Sequence, residues 1–151
     1  MVWVLIILLA LEGLAGIICG PLLMIKPDGS VIQMPLSIIR GSPFTDFFIP
    51  GLVMFLFLGI FPSIIAYGLW KKPAWIWPDP FNPFKRYHWS WAGSLAAGII
   101  LMIWLTVELI WVEYSILHAI YYVWGGTILL LTLLPAARSY LEKISDDPIQ
   151  R

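Results

Sequence analysis

Cysteine and charge are both scarce in this chain of 151 residues. The single cysteine, Cys19, excludes an intramolecular disulfide, a CxxC redox pair and a thiolate metal cluster. Charged side chains make up only 12% of the residues, roughly half the fraction of a typical soluble domain. The nine basic residues balance the nine acidic ones and form no basic block. Nucleic acid is therefore not expected as a partner.

Hydrophobic residues, at 60% of the chain, are abundant and are gathered into four long runs. At about 1.5 Å per residue, a helix of about 20 residues crosses roughly 30 Å of hydrocarbon. The sequence therefore predicts an all-α membrane protein, a four-transmembrane-helix bundle forming a single domain. Spans three and four are so close that we expect a tight hairpin near Glu113 and Tyr114. The predicted spans are residues 2–25, 48–70, 91–112 and 115–134.

The charges between the spans predict an orientation. The predicted outer loop, 26–47, holds two basic residues, whereas the inner loop, 71–90, and the C-terminal tail, 135–151, together hold seven. The positive-inside bias then places both termini in the cytoplasm of a multi-pass protein of the plasma (inner) membrane. Because the first run lacks a basic n-region and is too long, we expect a retained anchor rather than a cleaved signal peptide.

The outer loop carries several local signals. Residues 27–30, Pro-Asp-Gly-Ser, predict a turn, and residues 34–40 are apolar enough to form a short helix on the membrane. Ser42 and Pro43 have the pattern of an N-cap and a first helical residue. We therefore expect span two to begin before the hydrocarbon boundary, and we expect Pro62 to kink it.

Glu12 is the one charged residue in the first apolar run and falls near the midplane of the bilayer. An ionisable group there costs about 2.5–3.5 kcal/mol on insertion scales. Gly16 and Gly20 share its helical face, and this spacing favours close helix packing, so Glu12 is expected to face protein. Two interpretations stay open. In the first, a protonated Glu12 holds neighbouring helices together; in the second, it is a proton carrier or catalytic acid, reached by water.

Glu108 and His118 are the second candidate pair. Each lies about one turn inside the outer boundary, on spans three and four, and the tight hairpin places them at similar depth. A carboxylate beside an imidazole is typical of proton transfer, but a polar cluster that satisfies itself is the plainer interpretation. A metal site is not expected, because Glu113 points about 140° away from Glu108 on a helical wheel.

The remaining candidates surround this pair. Arg40 and Asp46 in the outer loop are expected to form a lid over it. No cofactor is expected, since a bis-histidine haem needs two histidines within the spans and only His118 qualifies. The aromatic residues expected to line a ligand cavity are Trp104, Trp111, Tyr121 and Tyr122.

Residues 36–51 read Leu-Ser-Ile-Ile-Arg-Gly-Ser-Pro-Phe-Thr-Asp-Phe-Phe-Ile-Pro-Gly. This segment resembles the SPF-x-D-[FY]-x-[IV]-PG segment of a group of small prokaryotic four-helix membrane proteins. The resemblance covers about a tenth of the chain. It implies the four-span layout and assigns no activity.

Three functions follow as hypotheses. The first is the binding of a lipid or other apolar small molecule in an outward-opening cavity of the bundle, with its polar head held by Glu108 and His118. The second is an intramembrane enzyme that uses the same pair for acid–base catalysis on a lipophilic substrate. The third is a small proton-coupled transporter that works as a homo-oligomer, with Glu12 as proton carrier. The Gly16/Gly20 and Gly93/Ala97 pairs fit packing within the bundle or between copies.

Overall fold

Helices dominate the computed structural model of this protein, which describes residues 1–143. Over that range there is no β-strand, only an isolated antiparallel bridge between Tyr87 and Glu142. Four helices are long and apolar enough to cross a membrane, which confirms the predicted helical class. The last eight residues of the predicted tail lie outside the described range. The four long helices are α1, Val2–Ile25; α2, Phe48–Lys71; α3, Trp89–Glu108; and α4, Ile116–Leu133.

Helices α1 and α2 pack against each other backbone to backbone. A Cβ atom on Gly16 would lie 2.5 Å from backbone atoms of Leu58 and Gly59, and one on Gly20 would lie 2.8 Å from the Gly51 carbonyl oxygen. Since the facing residue numbers rise on α1 as they fall on α2, the two helices are antiparallel. The Gly16/Gly20 pair is therefore used inside the chain, which answers one question that the sequence left open.

Helix α2 widens in its middle. Between the α-helical segments Phe48–Val53 and Phe61–Lys71, residues Met54–Ile60 form a π-helical segment. Proline lacks an N–H group, and its ring clashes with the carbonyl group four residues earlier, so Pro62 disturbs the turn that precedes it. The π segment thus ends two residues before this proline, and a kink of the helix at Pro62 stays a prediction.

Helices α3 and α4 form the second antiparallel pair. Gly98 contacts Leu129, Gly125 contacts Met102, and the Trp91 indole nitrogen donates to the Thr132 carbonyl oxygen at 2.9 Å. The main hydrophobic core lies toward the end of the bundle where α1 begins and α4 ends. Its buried members include Leu5, Leu9, Ile65, Leu69, Trp89, Ala97, Ile128 and Leu141, the last from the short helix α5, Pro135–Leu141.

The connection between α3 and α4 is longer than predicted. Helix α3 ends at Glu108 rather than at residue 112, and residues 109–115 join the two helices. The Ile110 and Trp111 amides donate to carbonyl groups three residues earlier, so the chain tightens here and turns back. Because the residues that reverse the chain are themselves apolar, hydropathy could not separate them from the span.

The start of α2 also differs from the prediction. Ser42 does not cap a helix: its hydroxyl group accepts a hydrogen bond from the Phe44 amide at 3.2 Å, which makes a local turn. The helix begins at Phe48, whose amide donates to the Asp46 carboxylate at 2.9 Å. The predicted turn over residues 27–30 is confirmed, with Gly29 at a φ of +75°.

Candidate functional site

Glu108 and His118 face each other at the end of the bundle where α3 ends and α4 begins. The His118 Nε2 atom lies 3.9 Å from a Glu108 carboxylate oxygen. The His118 side chain is 7% exposed and the Glu108 side chain is 30% exposed. The expected meeting of the two residues is therefore observed, but at a separation longer than a direct hydrogen bond.

The orientation of His118 is set by the first turn of α4. The Ser115 amide donates to the His118 Nδ1 atom at 3.1 Å, while the Ser115 hydroxyl group lies 3.0 Å from the same atom. Because Nδ1 accepts this hydrogen bond, the hydrogen-bond network assigns the proton of the neutral ring to Nε2. Within residues 1–143, Nε2 has no hydrogen-bond partner. A donor on α4 therefore faces an acceptor on α3 across a gap.

This gap has a definite chemical meaning. An oxygen atom of a third molecule can bond to both the imidazole and the carboxylate from beside the line that joins them, as bridging waters do elsewhere in proteins. The imidazole N–H group would donate to that oxygen and the carboxylate would accept from it. A hydroxyl group satisfies both demands at once.

The four aromatic residues predicted to line a ligand cavity do not lie together in the structure. Trp104 and Tyr122 are half-buried and pack against Leu58, Leu101 and Leu105 in the centre of the bundle. The Tyr122 hydroxyl group also lies 2.9 Å from the Thr106 hydroxyl group. The other two predicted wall residues, Tyr121 and Trp111, lie respectively on an exposed face of α4 and in the connection 109–115.

The predicted lid residues lie in the loop that joins α1 to α2. Arg40 is exposed, and Asp46 accepts the hydrogen bond from Phe48. In the described part of the chain, neither forms an ion pair with Glu108 or His118. The loop is anchored on α1, where Leu23 packs with loop residues including Ile39 and Phe47. A closing movement of the loop stays a prediction.

Glu12 is buried inside the bundle, as expected from its helical face. It is 4% exposed, and neither of its carboxyl oxygens has a hydrogen-bond partner in the described residues. On α1 it lies between Leu9, which belongs to the main core, and Gly16, which contacts Leu58. The sequence predicted the location of Glu12 but not the absence of a nearby partner.

Trp124 is the polar residue that sequence reasoning missed. Its indole nitrogen is buried and has no hydrogen-bond partner among residues 1–143. The side chain packs against both the main core and the central cluster of Leu58, Leu101 and Leu105. Tryptophans in membrane proteins are enriched at the interfaces. A tryptophan in the middle of a predicted span, with an N–H group that needs an acceptor, was the available signal.

Two apolar grooves open on the outside of the bundle beside α1. The α1–α4 groove has a volume of about 370 Å³, and the α1–α2 groove has a volume of about 310 Å³. Neither groove is lined by Glu108 or His118. The first is lined by Leu8, Ala119, Ile120, Val123, Trp124 and Thr127. The second is lined by Ile6, Ala10, Leu14, Ile17, Ser63, Ala66, Tyr67 and Trp70.

Comparison with known proteins adds no functional assignment. No protein-family model, no curated protein and no solved structure matches this chain. Over the described residues, no group of three or more His, Cys, Asp and Glu side chains is placed to hold a metal ion.

Proposed function

We propose that this chain is an integral membrane protein that binds a lipid or other apolar small molecule by its polar head. The head group lies against Glu108 and His118, near the outer end of the bundle. The observation that carries the proposal is the 3.9 Å separation of Nε2 and the carboxylate, together with the unpartnered state of the buried Nε2 atom. Leaving a buried donor unpaired costs about 1–3 kcal/mol, which a bound oxygen atom would recover.

The exposed surface supports a bilayer location. Each of the four long helices carries large apolar side chains that are exposed in the isolated chain, such as Ile7 on α1 and Val123 on α4. Exposed apolar side chains on every long helix are stable when lipid covers them. The location proposed is the plasma (inner) membrane.

The charges at the two ends support an orientation with both termini in the cytoplasm. Lys26 and Arg40 belong to the loop between α1 and α2. The basic residues at or beyond the opposite ends of the helices are Lys71, Lys72, Lys85, Arg86, Arg138 and Lys143. This excess favours the second side as cytoplasmic, so the Glu108–His118 pair opens toward the outside.

The helices offer apolar surface just below the polar pair. Trp104 precedes Glu108 by four residues and Tyr122 follows His118 by four, so each lies on the same helical face one turn deeper. A ligand whose head bonds to the pair would extend along these two rings. The ligand class is therefore a lipophilic molecule that ends in a hydroxyl group or a similar donor and acceptor.

The two alternative functions have less support. An acid–base enzyme would use the same pair, and its distinguishing feature would be chemical turnover of the bound molecule. A proton-coupled transporter needs polar groups through the inner half of the bundle. There, the Ser94 and Thr132 hydroxyl groups donate to carbonyl groups of their own helices.

Native mass spectrometry of the protein in mild detergent, after incubation with a total bacterial lipid extract, tests this proposal. We expect a bound apolar species that falls by about tenfold or more in Glu108→Gln and in His118→Ala, because a hydrogen bond to a charged group contributes about 1.5–3 kcal/mol. Lipid extraction then identifies the species.

Two matched variants separate binding from folding. Glu113→Gln makes the same chemical change on an exposed residue of the connection. His88→Ala makes the same chemical change as His118→Ala at the opposite end of the bundle, where α3 begins. Both should retain the ligand. Retention in Glu108→Gln and His118→Ala, or no bound species in the unmodified protein, would overturn the proposal.

A further inference from the structure

We propose that the α1–α2 groove binds one acyl chain of an anionic phospholipid, and that the Lys71 ammonium group binds the phosphate of the same lipid. The lipid belongs to the leaflet that surrounds the end of the bundle where α2 ends. This site shares no residue with the Glu108–His118 pair, so it does not rest on the function proposed above.

Lys71 lies at one end of the groove. Trp70, which lines the groove, is followed directly by Lys71, the last residue of α2. The Lys71 ammonium nitrogen lies 4.0 Å from the centroid of the Trp70 ring, so the positive charge lies over a ring of the groove wall. Both side chains are exposed. An anion bound to Lys71 would therefore lie at the mouth of the groove.

The charge of Lys71 is available to a ligand. Arg86 and Lys143, at the same end of the bundle, pair with Glu142 and Asp79 respectively. Among the described residues, by contrast, no carboxylate forms an ion pair with Lys71. A lysine ammonium group has three N–H donors, and phosphate oxygens accept charge-assisted hydrogen bonds from such donors.

The sequence around this end also favours an anion. Residues 71–90 and 135–151 together hold seven basic and four acidic side chains, whereas residues 26–47, at the other end of α1 and α2, hold two of each. Clusters of basic residues at a membrane surface attract anionic lipids. The end of the bundle that carries Lys71 should therefore prefer anionic to zwitterionic head groups.

The groove has the length of one leaflet. Its lining residues on α1 extend from Ile6 to Ile17, a distance of about 16 Å along a helix. Half of the hydrocarbon layer is about 15 Å thick. The Ser63 hydroxyl group, in the groove wall, already donates to the Gly59 carbonyl oxygen at 2.8 Å. An acyl chain of the leaflet at the Lys71 end would therefore fit along a largely apolar wall.

Aromatic rings mark the level of the head group. Tyr67, a lining residue one turn before Lys71, stacks on Trp75 of the following loop, with 5.6 Å between the ring centroids. Tyrosine and tryptophan are enriched where hydrocarbon meets head groups. The groove end that carries Lys71 is thus expected at the depth of the lipid phosphates.

The α1–α4 groove serves as an internal comparison. It is also apolar and has a similar volume of about 370 Å³. Along the sequence, no lysine or arginine lies within one helical turn of any of its lining residues. Acyl chains should therefore enter both grooves, whereas only the α1–α2 groove should distinguish an anionic lipid from a zwitterionic one.

Photolabelling of the purified protein in phosphatidylcholine nanodiscs tests this preference. The two probes are phosphatidylglycerol and phosphatidylcholine with identical acyl chains, one of which bears a diazirine, and mass spectrometry locates the labelled residues. We expect phosphatidylglycerol to label the α1–α2 groove about fivefold above phosphatidylcholine, which corresponds to about 1 kcal/mol for one basic residue at a membrane surface. Both probes should label the α1–α4 groove alike.

Four variants complete the test. Lys71→Gln should remove the preference, and Lys71→Arg should keep it. Lys85→Gln is the matched control, because it removes the same charge from the same end, where the Lys85 ammonium group donates to the Asp79 carbonyl oxygen; it should keep the preference. Ala10→Phe should block the α1–α2 groove for both probes, while labelling of the α1–α4 groove shows that the bundle is folded.

Three results would overturn the proposal. The first is equal labelling of the α1–α2 groove by both probes. The second is a preference that survives Lys71→Gln or labelling that survives Ala10→Phe. The third is an equal loss of preference in Lys71→Gln and Lys85→Gln, which would indicate diffuse attraction to the positive end of the bundle rather than a site.

Discussion

At the scale of single residues, the absence of a side chain decides how α1 meets α2. Gly16 lies against the backbone of Leu58 and Gly59, where even a methyl group would come within 2.5 Å of main-chain atoms. Main-chain atoms cannot move aside as the end of a long side chain can. A glycine at this position is therefore a requirement of the helix pair.

Gly16→Ala should consequently destabilise the protein. Overpacking a close contact costs typically about 1–3 kcal/mol. Here the added methyl group on α1 would clash with main-chain atoms of α2. Gly126→Ala is the matched control, because a Cβ atom there meets nothing within 4 Å. Unfolding of both variants in detergent, followed by circular dichroism, measures the difference. An equal midpoint for Gly16→Ala and the unmodified protein would contradict this account.

Single residues also show how far sequence reasoning reaches toward the candidate site. Helical periodicity and a short connection were enough to predict that Glu108 and His118 meet. The 3.9 Å separation was beyond prediction, because it depends on the path of the connection and on the capping role of Ser115. Trp124 was missed because the surrounding helices decide whether its indole N–H group finds an acceptor. The residues beside it in the sequence do not show this.

At the scale of helices, the π segment of α2 places two glycines on one face. Gly51 and Gly59 both contact α1, at Gly20 and Gly16 respectively. Eight residues of regular α-helix rotate through about 800°, which would turn the second glycine about 80° away from the first. The wider turns of Met54–Ile60 absorb this excess. The segment therefore sets the contact between α1 and α2.

Deleting Phe57, an exposed residue of the π segment, tests this role. The two glycines would then be seven residues apart, about 20° short of two full α-helical turns, so they would stay on one face. We expect this variant to fold. Deleting the exposed Ile103 from the regular helix α3 should instead turn Leu105 and Glu108 by about 100° and prevent folding.

Size-exclusion chromatography and circular dichroism of the two deletions provide the measurement. A folded, monodisperse Phe57 deletion beside an aggregated Ile103 deletion is the expected outcome. If both deletions aggregate alike, the π segment does not act as an added residue in α2.

Helix boundaries mark the limit of prediction at this scale. Hydropathy predicted four spans, because a run of about 20 apolar residues is compatible with few structures other than a membrane-spanning helix. It could not distinguish the end of α3 at Glu108 from the apolar residues 109–112 that follow. Nor could the sequence show that the helix would begin at Phe48, whose amide donates to the Asp46 carboxylate, rather than at Ser42.

At the scale of the whole molecule, one end of the bundle is tied together by charged and aromatic contacts. Arg86 pairs with Glu142 at 2.6 Å, and Lys143 pairs with Asp79 at 3.0 Å. Near these pairs, the Trp75 ring stacks on Trp89 at the start of α3. Exposed ion pairs contribute little stability each, but aromatic rings at the end of a bundle suit the head-group zone of a bilayer.

The proposed orientation can be measured with single cysteines. In a Cys19→Ser background, Ser37→Cys reports on the loop between α1 and α2, and Ser139→Cys reports on α5; both serines are exposed. On intact cells, a membrane-impermeant maleimide should label Ser37→Cys at once and Ser139→Cys only after lysis. The reverse pattern would contradict cytoplasmic termini, and the Cys19→Ser protein without a new cysteine controls for background.

The glycine contact between α1 and α2 has a consequence for the order in which the protein is built. Every residue of that contact lies within the first 71 residues of the chain. The pair can therefore dock while the ribosome is still adding α3 and α4, in keeping with the general order of assembly from the N-terminus. Glu12 belongs to this first pair, whereas Trp124 is synthesised later, with α4. The docked pair would then be the template on which the later helices pack.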